Sequence, residues 1–383
     1  MKAFITILTF VLLSGAQLKA QNSHAIAWDQ STLKQVAPLS GSKSANYARM
    51  IQLHNGSLLC IYESNGSVEC TQSHDLGKTW LKPVIIASAV SGVNMSVPEI
   101  LELKDHSLLI SYNPRPHKIN GSWDTTKHFA IRTKKSYDEG KTWRDERLIY
   151  EASYQFEDGC WEPSQIQLPN DEIQLYFSNE GVYIHSNEQN ISIFRSHDNG
   201  ITWTKQPEIV SFTPAHRDGM PVPIILKGTK EILFSIEDNA GGQFKPSIIR
   251  NSFNQNWQKT VGSKDPERTY AITPKLPDTV YAGAPYLRQL PGGQTILSYQ
   301  STFGRNGNWE LACMQIAVGN NKGEDFVNTA TPFNIPLNKH GLWNSLCVLN
   351  DGTIIALTST DAYNSYTAIW MIKGHLINKK STY

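Results

Sequence analysis

Two acidic residues stand in otherwise apolar or aromatic contexts. Glu162 lies in Cys160-Trp161-Glu162-Pro163, and Glu237 closes the apolar run Ile232 to Ile236. A pair of carboxyl groups is the minimum apparatus for hydrolysing a glycosidic bond: one protonates the leaving oxygen, and the other attacks the anomeric carbon or activates water. An aromatic neighbour such as Trp161 favours the protonated form of Glu162. The plainer reading is that each Glu only bonds nearby backbone or an arginine, and residue type and spacing leave both readings open.

What brings the two together is a repeat. The octapeptide Ser-x-Asp-x-Gly-x-Thr-Trp occurs three times, at Ser73 to Trp80, Ser136 to Trp143 and Ser196 to Trp203. Each copy reads as a tight turn fastening a β-hairpin. The Ser hydroxyl and Asp carboxylate bond nearby backbone N–H groups, Gly supplies a left-handed residue, and Trp offers a large apolar face. A longer pattern of strand, leucine, polar turn and second strand recurs around Leu53, Leu103, Leu168, Leu226, Leu290 and Leu349, so six units fill the chain. Five positions before the leucine stand Pro98, Pro163, Pro221 and Pro285, with Ala48 and Asn344 in the first and last units. Proline cannot donate to a ladder, and four in phase predict an edge strand such as the one lining the channel of a propeller.

The pattern therefore predicts an all-β fold, a six-bladed β-propeller, as a single domain over residues 21–383. The octapeptides join the third and fourth strands of blades one to three, and Asn251 to Trp257 and Gly319 to Phe326 are degenerate versions in blades four and five. The strand around Ala25 to Trp28 is expected to complete the last blade and close the ring. Both sets of turns share one face, which makes Asp75, Asp138 and Asp198 structural. The opposite rim then carries Tyr47 and Arg49 from blade one, Trp161 and Glu162 from blade three, Arg217, Glu237 and Asp238 from blade four, and Trp343 and Asn344 from blade six. Arg115 and Arg288 read as strand-flanking charges.

The octapeptides and the six-unit register resemble the sialidase-type propellers with Asp-box turns, over nearly the whole chain after the leader. Within that group, Tyr47-Ala48-Arg49, Gly159 to Pro163, Ile173 to Ser178, the motif His216-Arg217-Asp218-Gly219-Met220-Pro221 and Ser235 to Asp238 resemble the exo-arabinanases. The resemblance implies a retaining exo-glycosidase that releases short arabinose units, with Glu162 as acid/base and Glu237 as nucleophile. It also implies sugar-binding roles for Arg49, Arg217 and their neighbours, Asp218 included. A sialidase is the alternative. Those enzymes hold the substrate carboxylate with three arginines, the first two residues before the in-phase proline position, where this chain has Asn46. They attack with a tyrosine backed by a glutamate; Tyr281 and Tyr286 are the candidates here, and both read as packing residues. A propeller that binds carbohydrate without turnover is the third reading.

Composition narrows the partners. A formal charge of +1 gives no footprint for nucleic acid and points to an oligo- or polysaccharide without strong charge. Met1 and Lys2, the apolar run Ala3 to Gly15 and Leu18-Lys19-Ala20 read as a signal peptide over residues 1–20, too short for a membrane span, and predict a secreted or periplasmic protein. No cofactor is implied. Cys160, Cys313, Cys347 and the 11 histidines show no metal-ligand spacing, and no structural metal is expected. Cys60 and Cys70 lie symmetrically about the turn near Asn65, so a bridge between them is open, while an odd total of five leaves at least one thiol free.

Overall fold

The computed structural model describes residues 24–39 and 44–378. The expected signal peptide lies outside the described residues. Six sheets follow one another in the chain, antiparallel except that Ile272–Thr273 joins the edge of the fifth in parallel, and apart from two single-turn 3-10 segments, Phe156–Asp158 and Trp309–Leu311, no helix occurs among the described residues. None of these is long and apolar enough to cross a membrane. The fold is the expected six-bladed propeller.

The innermost strands are Ala45–Gln52, Val93–Glu102, Cys160–Gln167, Asp218–Ile225, Ala282–Gln289 and Leu342–Val348, each at one edge of its sheet and each holding its proline or the Ala48 and Asn344 equivalent. Inner and middle strands read as nearly continuous apolar runs because every blade is packed between two others. In Glu231–Asp238, for example, Ile232, Phe234 and Ile236 pack with Tyr176 and Ile193 of blade three, while Leu233 packs with Leu287 and Leu297 of blade five. The ring closes as predicted: His24–Ala37 pairs with Ala368–Asn378 as the outermost strand of blade six.

The three octapeptide turns share one bonding pattern. The Gly77 N–H donates to Ser73 Oγ at 2.7 Å, and Asp75 accepts the Thr79 N–H at 2.8 Å and the Thr79 hydroxyl at 2.6 Å. Ser136/Asp138/Thr142 and Ser196/Asp198/Thr202 repeat it. Gly140 sits at φ 89°, and an added Cβ would meet Gln72 Nε2 at 3.3 Å and a Leu59 methyl at 3.4 Å. Gly140→Ala should therefore lower unfolding stability by about 1 kcal/mol or more, read as a lower urea midpoint at unchanged m-value.

The Cys60–Cys70 bridge is not formed; all five cysteines are free thiols. The hairpin turns between Ser64 and Ser67, which sets Cys60 opposite Thr71 and Cys70 opposite Ile61. With a side-chain period of two, that one-residue offset sends the two sulfurs to opposite faces of blade one, into different clusters.

One irregularity recurs in every blade and positions the site. In each innermost strand the ladder skips two residues against one on its neighbour, a β-bulge between Asn46 and Arg49, Ser96 and Glu99, Trp161 and Ser164, Gly219 and Val222, Gly283 and Tyr286, and Leu342 and Ser345. The second skipped residue is the in-phase proline or its equivalent, whose missing N–H costs nothing where no ladder bond is made. The first is left-handed in all six: Tyr47, Val97, Glu162, Met220, Ala284 and Trp343, with φ between 46° and 55°. Tyr47, Val97, Met220, Ala284 and Trp343 pack together over the central channel as one apolar cluster. Glu162 is the sixth member of the ring and its single charged residue.

Candidate active site

A second repeated contact caps the first. The residue near the end of the second strand of one blade accepts the N–H of the next blade's bulge residue. Ser359 Oγ takes the Tyr47 N–H at 3.1 Å, Ser178 Oγ that of Met220 at 2.9 Å, Gln300 Oε1 that of Trp343 at 2.9 Å, and Glu237 Oε2 that of Ala284 at 2.8 Å. Glu63 serves Val97 in the same way. Ser and Gln perform this task without charge, so the ionisable group of Glu237 exceeds what the fold requires. Both plainer bonds foreseen from sequence are thus made, each by one oxygen: Glu237 to backbone, and Glu162 Oε1 to Arg115 at 3.1 Å.

Glu162 and Glu237 stand close enough that the Glu162 charge raises the Glu237 pKa by repulsion. Burial is the larger cause for both: Glu162 is pushed up against the opposing pull of Arg115, and Glu237, with no guanidinium in contact, is pushed up to about 7. Glycines make the space for Glu237. A Cβ on Gly219 would stand 3.1 Å from its Cγ, and one on Gly283 would stand 2.6 Å from its Oε2.

Two further carboxyls flank the pair. Glu180 is buried, ion-paired with Arg217, and pushed up to about 7 by burial. Burial also raises Glu63, which is bonded to Ser96. Arg217 is fixed from several sides, with Gln189 Oε1 accepting from its guanidinium at 2.7 Å and Asn239 Oδ1 accepting its backbone N–H at 2.8 Å.

One wall is aromatic. Tyr47 and Trp343 lie 5.8 Å apart, Trp343 and Trp309 6.4 Å, and Trp309 and Tyr281 6.4 Å, with Trp309 47% exposed. Such rings suit the C–H faces of a sugar. Tyr281 flanks the same Gly283 as Glu237 and accepts from Gln300 Nε2 at 2.9 Å; burial and the Glu237 charge push its hydroxyl pKa up.

Several expected site residues stand elsewhere. Arg49 is 3% exposed, paired with Glu99 at 3.3 Å and held between the rings of Tyr47 and Tyr286, at a small cavity that it lines with Glu162. Asn344 is buried at the bulge, donating to the Gly341 carbonyl. Trp161 packs between Phe129 and Phe156 and supports Arg115 on its face, so it braces the site and offers no platform. Asp218 and Asp238 are cross-strand partners on a flank of blade four, where Arg268 bonds both. Successive side chains alternate between faces, so Asp238 must turn away if Glu237 faces the funnel. Arg115, read as a flanking charge, instead touches Glu162. Glu180 and Trp309 were missed: Glu180 follows the last residue of a strand and Trp309 opens a 3-10 turn in a loop, where strand periodicity gives no direction.

Tyr286 does contact a glutamate, with Oη 3.1 Å from Glu99 Oε2. That pair is buried and braced by Arg49 and Arg288.

No protein-family model and no curated protein matches the sequence. Solved structures do match in shape. The α-L-arabinofuranosidase ARB93A of Fusarium graminearum, in complex with an iminosugar inhibitor, aligns with a TM-score of 0.66 at 16% identity over 89% of this chain and 97% of its own. The Penicillium chrysogenum α-L-arabinanase complexed with arabinobiose gives 0.66 at 18% identity over 91% and 98%. The NanB sialidase of Streptococcus pneumoniae gives 0.60 at 11% identity over 89% of this chain and 70% of that one. At these identities the likeness is one of fold, and the chain is a six-bladed propeller of the architecture shared by that α-L-arabinofuranosidase, that α-L-arabinanase and that sialidase.

Proposed function

We propose that the protein is an exported retaining exo-glycosidase acting on a neutral polysaccharide, of the exo-α-L-arabinanase type. The observation that carries this is the coincidence in one funnel of Glu162 and Glu237, the first where five blades place an apolar residue and the second where Ser or Gln meets the structural need in three. Two structural neighbours bear arabinan-related names. In this reading Glu237 attacks the anomeric carbon as the glycosidic C–O bond breaks, and the leaving oxygen takes the proton of Glu162. Water, deprotonated by Glu162, then opens the glycosyl ester with net retention.

Electrostatics adds a requirement. In the ligand-free site Arg115 favours ionised Glu162 by direct contact, while Glu237 feels only the weaker pull of Arg217, which is not in contact with it. The proton must therefore pass to Glu162 as substrate enters and draws Arg115 away. Azide rescue tests the order of roles: it should restore glycosyl transfer with inverted product to Glu237→Ala, and the same result with Glu162→Ala would exchange the roles.

Whichever carboxyl delivers the proton, the pair must hold one. Since Glu237 keeps its proton up to about 7, kcat/KM on α-arabino-oligosaccharides should fall as pH rises through about 7, and a profile flat to pH 9 would contradict this.

Tyr281 beside Glu237 is the one observation that favours a sialidase. Against it, Arg115 and Arg217 are each paired with a carboxylate and Arg49 is sequestered, which leaves no three-arginine cluster for a substrate carboxylate among these groups. Release of short arabinose oligomers from linear α-arabinan, with a sialyl-aryl substrate untouched, supports the arabinanase reading; the converse result replaces it.

A further inference from the structure

On the opposite face, the repeat again supplies a baseline. After the marker leucines of blades two, four and six, the next residue donates its N–H to the side chain that ends the innermost strand of the next blade: Lys104 to Gln167 Oε1 at 2.8 Å, Lys227 to Gln289 Oε1 at 2.8 Å, and Asn350 to Gln52 Oε1 at 2.9 Å; blades three and five have Pro169 and Pro291 there. Between blades one and two the donor is His54 and the acceptor is Glu102, whose two oxygens lie at 3.0 and 3.2 Å. Gln would make this bond, so the charge of Glu102 is surplus to it. The adjacent turn departs in a second way. Blades one, five and six put Gly56, Gly293 and Gly352 at its left-handed position, with φ of 85°, 97° and 87°, whereas blade two puts His106 there at φ 64° and blade three Asp171 at φ 71°.

These departures meet at one point. His54 Nδ1 lies 2.5 Å from Glu102 Oε1, His106 Nδ1 lies 3.7 Å from the same oxygen, and the two imidazoles stack with centroids 4.0 Å apart. One ligand atom from each of the three residues falls within 4.8 Å of the others. Glu102 is anchored by the His54 backbone, and the half-exposed rings can turn toward a common centre while water completes the coordination. Two imidazoles and one carboxylate are the donor set of borderline divalent ions and suit neither Ca²⁺ nor Mg²⁺, which take oxygen ligands.

We propose that His54, Glu102 and His106 form a binding site for a borderline divalent transition cation, Zn²⁺ above all, which clips blade one to blade two on the face away from the funnel. The spacing escaped a linear reading because the ligands come from two copies of the repeat.

The repeat also supplies the test variants. E102Q installs the residue used at the same place in blades one, three and five, and H106G the residue used in blades one, five and six, so both keep the fold. Untagged protein should bind Zn²⁺ one to one by calorimetry and take up Co²⁺ with visible d–d absorption. Each variant should weaken Zn²⁺ at least tenfold and abolish the rise of about 3 °C in Tm that saturating Zn²⁺ gives the wild type. Mg²⁺ and Ca²⁺ should have no effect. Absence of saturable Zn²⁺ binding, or binding that either variant leaves unchanged, overturns the proposal.

Discussion

Replacement of Glu237 by Gln is expected to cut kcat on α-arabino-oligosaccharides by about 10³-fold or more, with the fold intact, and Glu162→Gln should do the same. The first substitution is isosteric where it matters to the structure. A Gln carbonyl can accept the Ala284 N–H as Gln300 accepts that of Trp343, so the blade contact survives while the ionisable group is lost. Glu162→Gln keeps an acceptor for Arg115, but the side chain can no longer give up or regain a proton. Thermal unfolding within about 2 °C of wild type, beside the loss of rate, would separate chemistry from folding. Rates within tenfold of wild type for both variants would sink the two-carboxylate mechanism. If wild-type protein bound arabino-oligosaccharides by calorimetry and released no product, the chain would be a binding propeller.

Much of the fold was legible because repetition multiplies weak signals. One proline in a strand is ambiguous; Pro98, Pro163, Pro221 and Pro285 in one phase are not, and they mark the edge strand correctly. What they did not reveal was the bulge. Proline marks only its second residue, and the left-handed first residue varies from Ala284 to Trp343, so nothing in residue type signals the conformation that aims it inward.

The site was legible where the register reaches and obscure beyond it. Glu162, Glu237, Tyr47 and Trp343 follow from strand phase, and the structure sets three of them at the ring of bulges and Glu237 on the bulge N–H of Ala284. Arg49 shows the limit: two residues past Tyr47 it follows the phase, but it is paired with Glu99 and held between two rings. Asp218 and Asp238 were drawn in by their neighbours in a motif, although the alternation that selects Glu237 argues against Asp238. Arg115, Glu180 and Trp309 depend on strand ends and loops, whose direction is set by tertiary packing.

Six copies of one unit let the molecule serve as its own control. Where several blades meet one need with uncharged groups, as Ser359, Ser178 and Gln300 do in capping a bulge N–H, the residue answers to the fold. Where one blade departs at some cost, the fold gives no reason for the departure. Burying Glu162 in an otherwise apolar ring and placing His106 in a conformation that glycine adopts more easily are departures of that kind.

Arg268 tests the other side of this reasoning. Its guanidinium, 4% exposed, donates to Asp218 Oδ2 at 2.9 Å and Oδ1 at 2.5 Å, and to Asp238 Oδ2 at 2.6 Å. Arg268→Ala would leave two carboxyls facing each other across a strand pair with no counter-charge, and should cost about 3–5 kcal/mol in urea unfolding. The deficit should depend on pH. Burial already raises the Asp218 pKa with Arg268 in place, and removing the cation raises it further, so in the variant the folded state binds protons that the unfolded state releases. Stability of the variant therefore falls as pH rises above the ordinary carboxylate range, and its deficit should be smaller at pH 5 than at pH 8. Replacing all three groups together, as Asp218→Asn, Asp238→Asn and Arg268→Met, should recover much of the loss, because no charge then remains unpaired. A loss below about 1 kcal/mol for Arg268→Ala, or arabino-oligosaccharide affinity that falls while stability holds, would return Asp218 and Asp238 to the sugar site from which their orientation removes them.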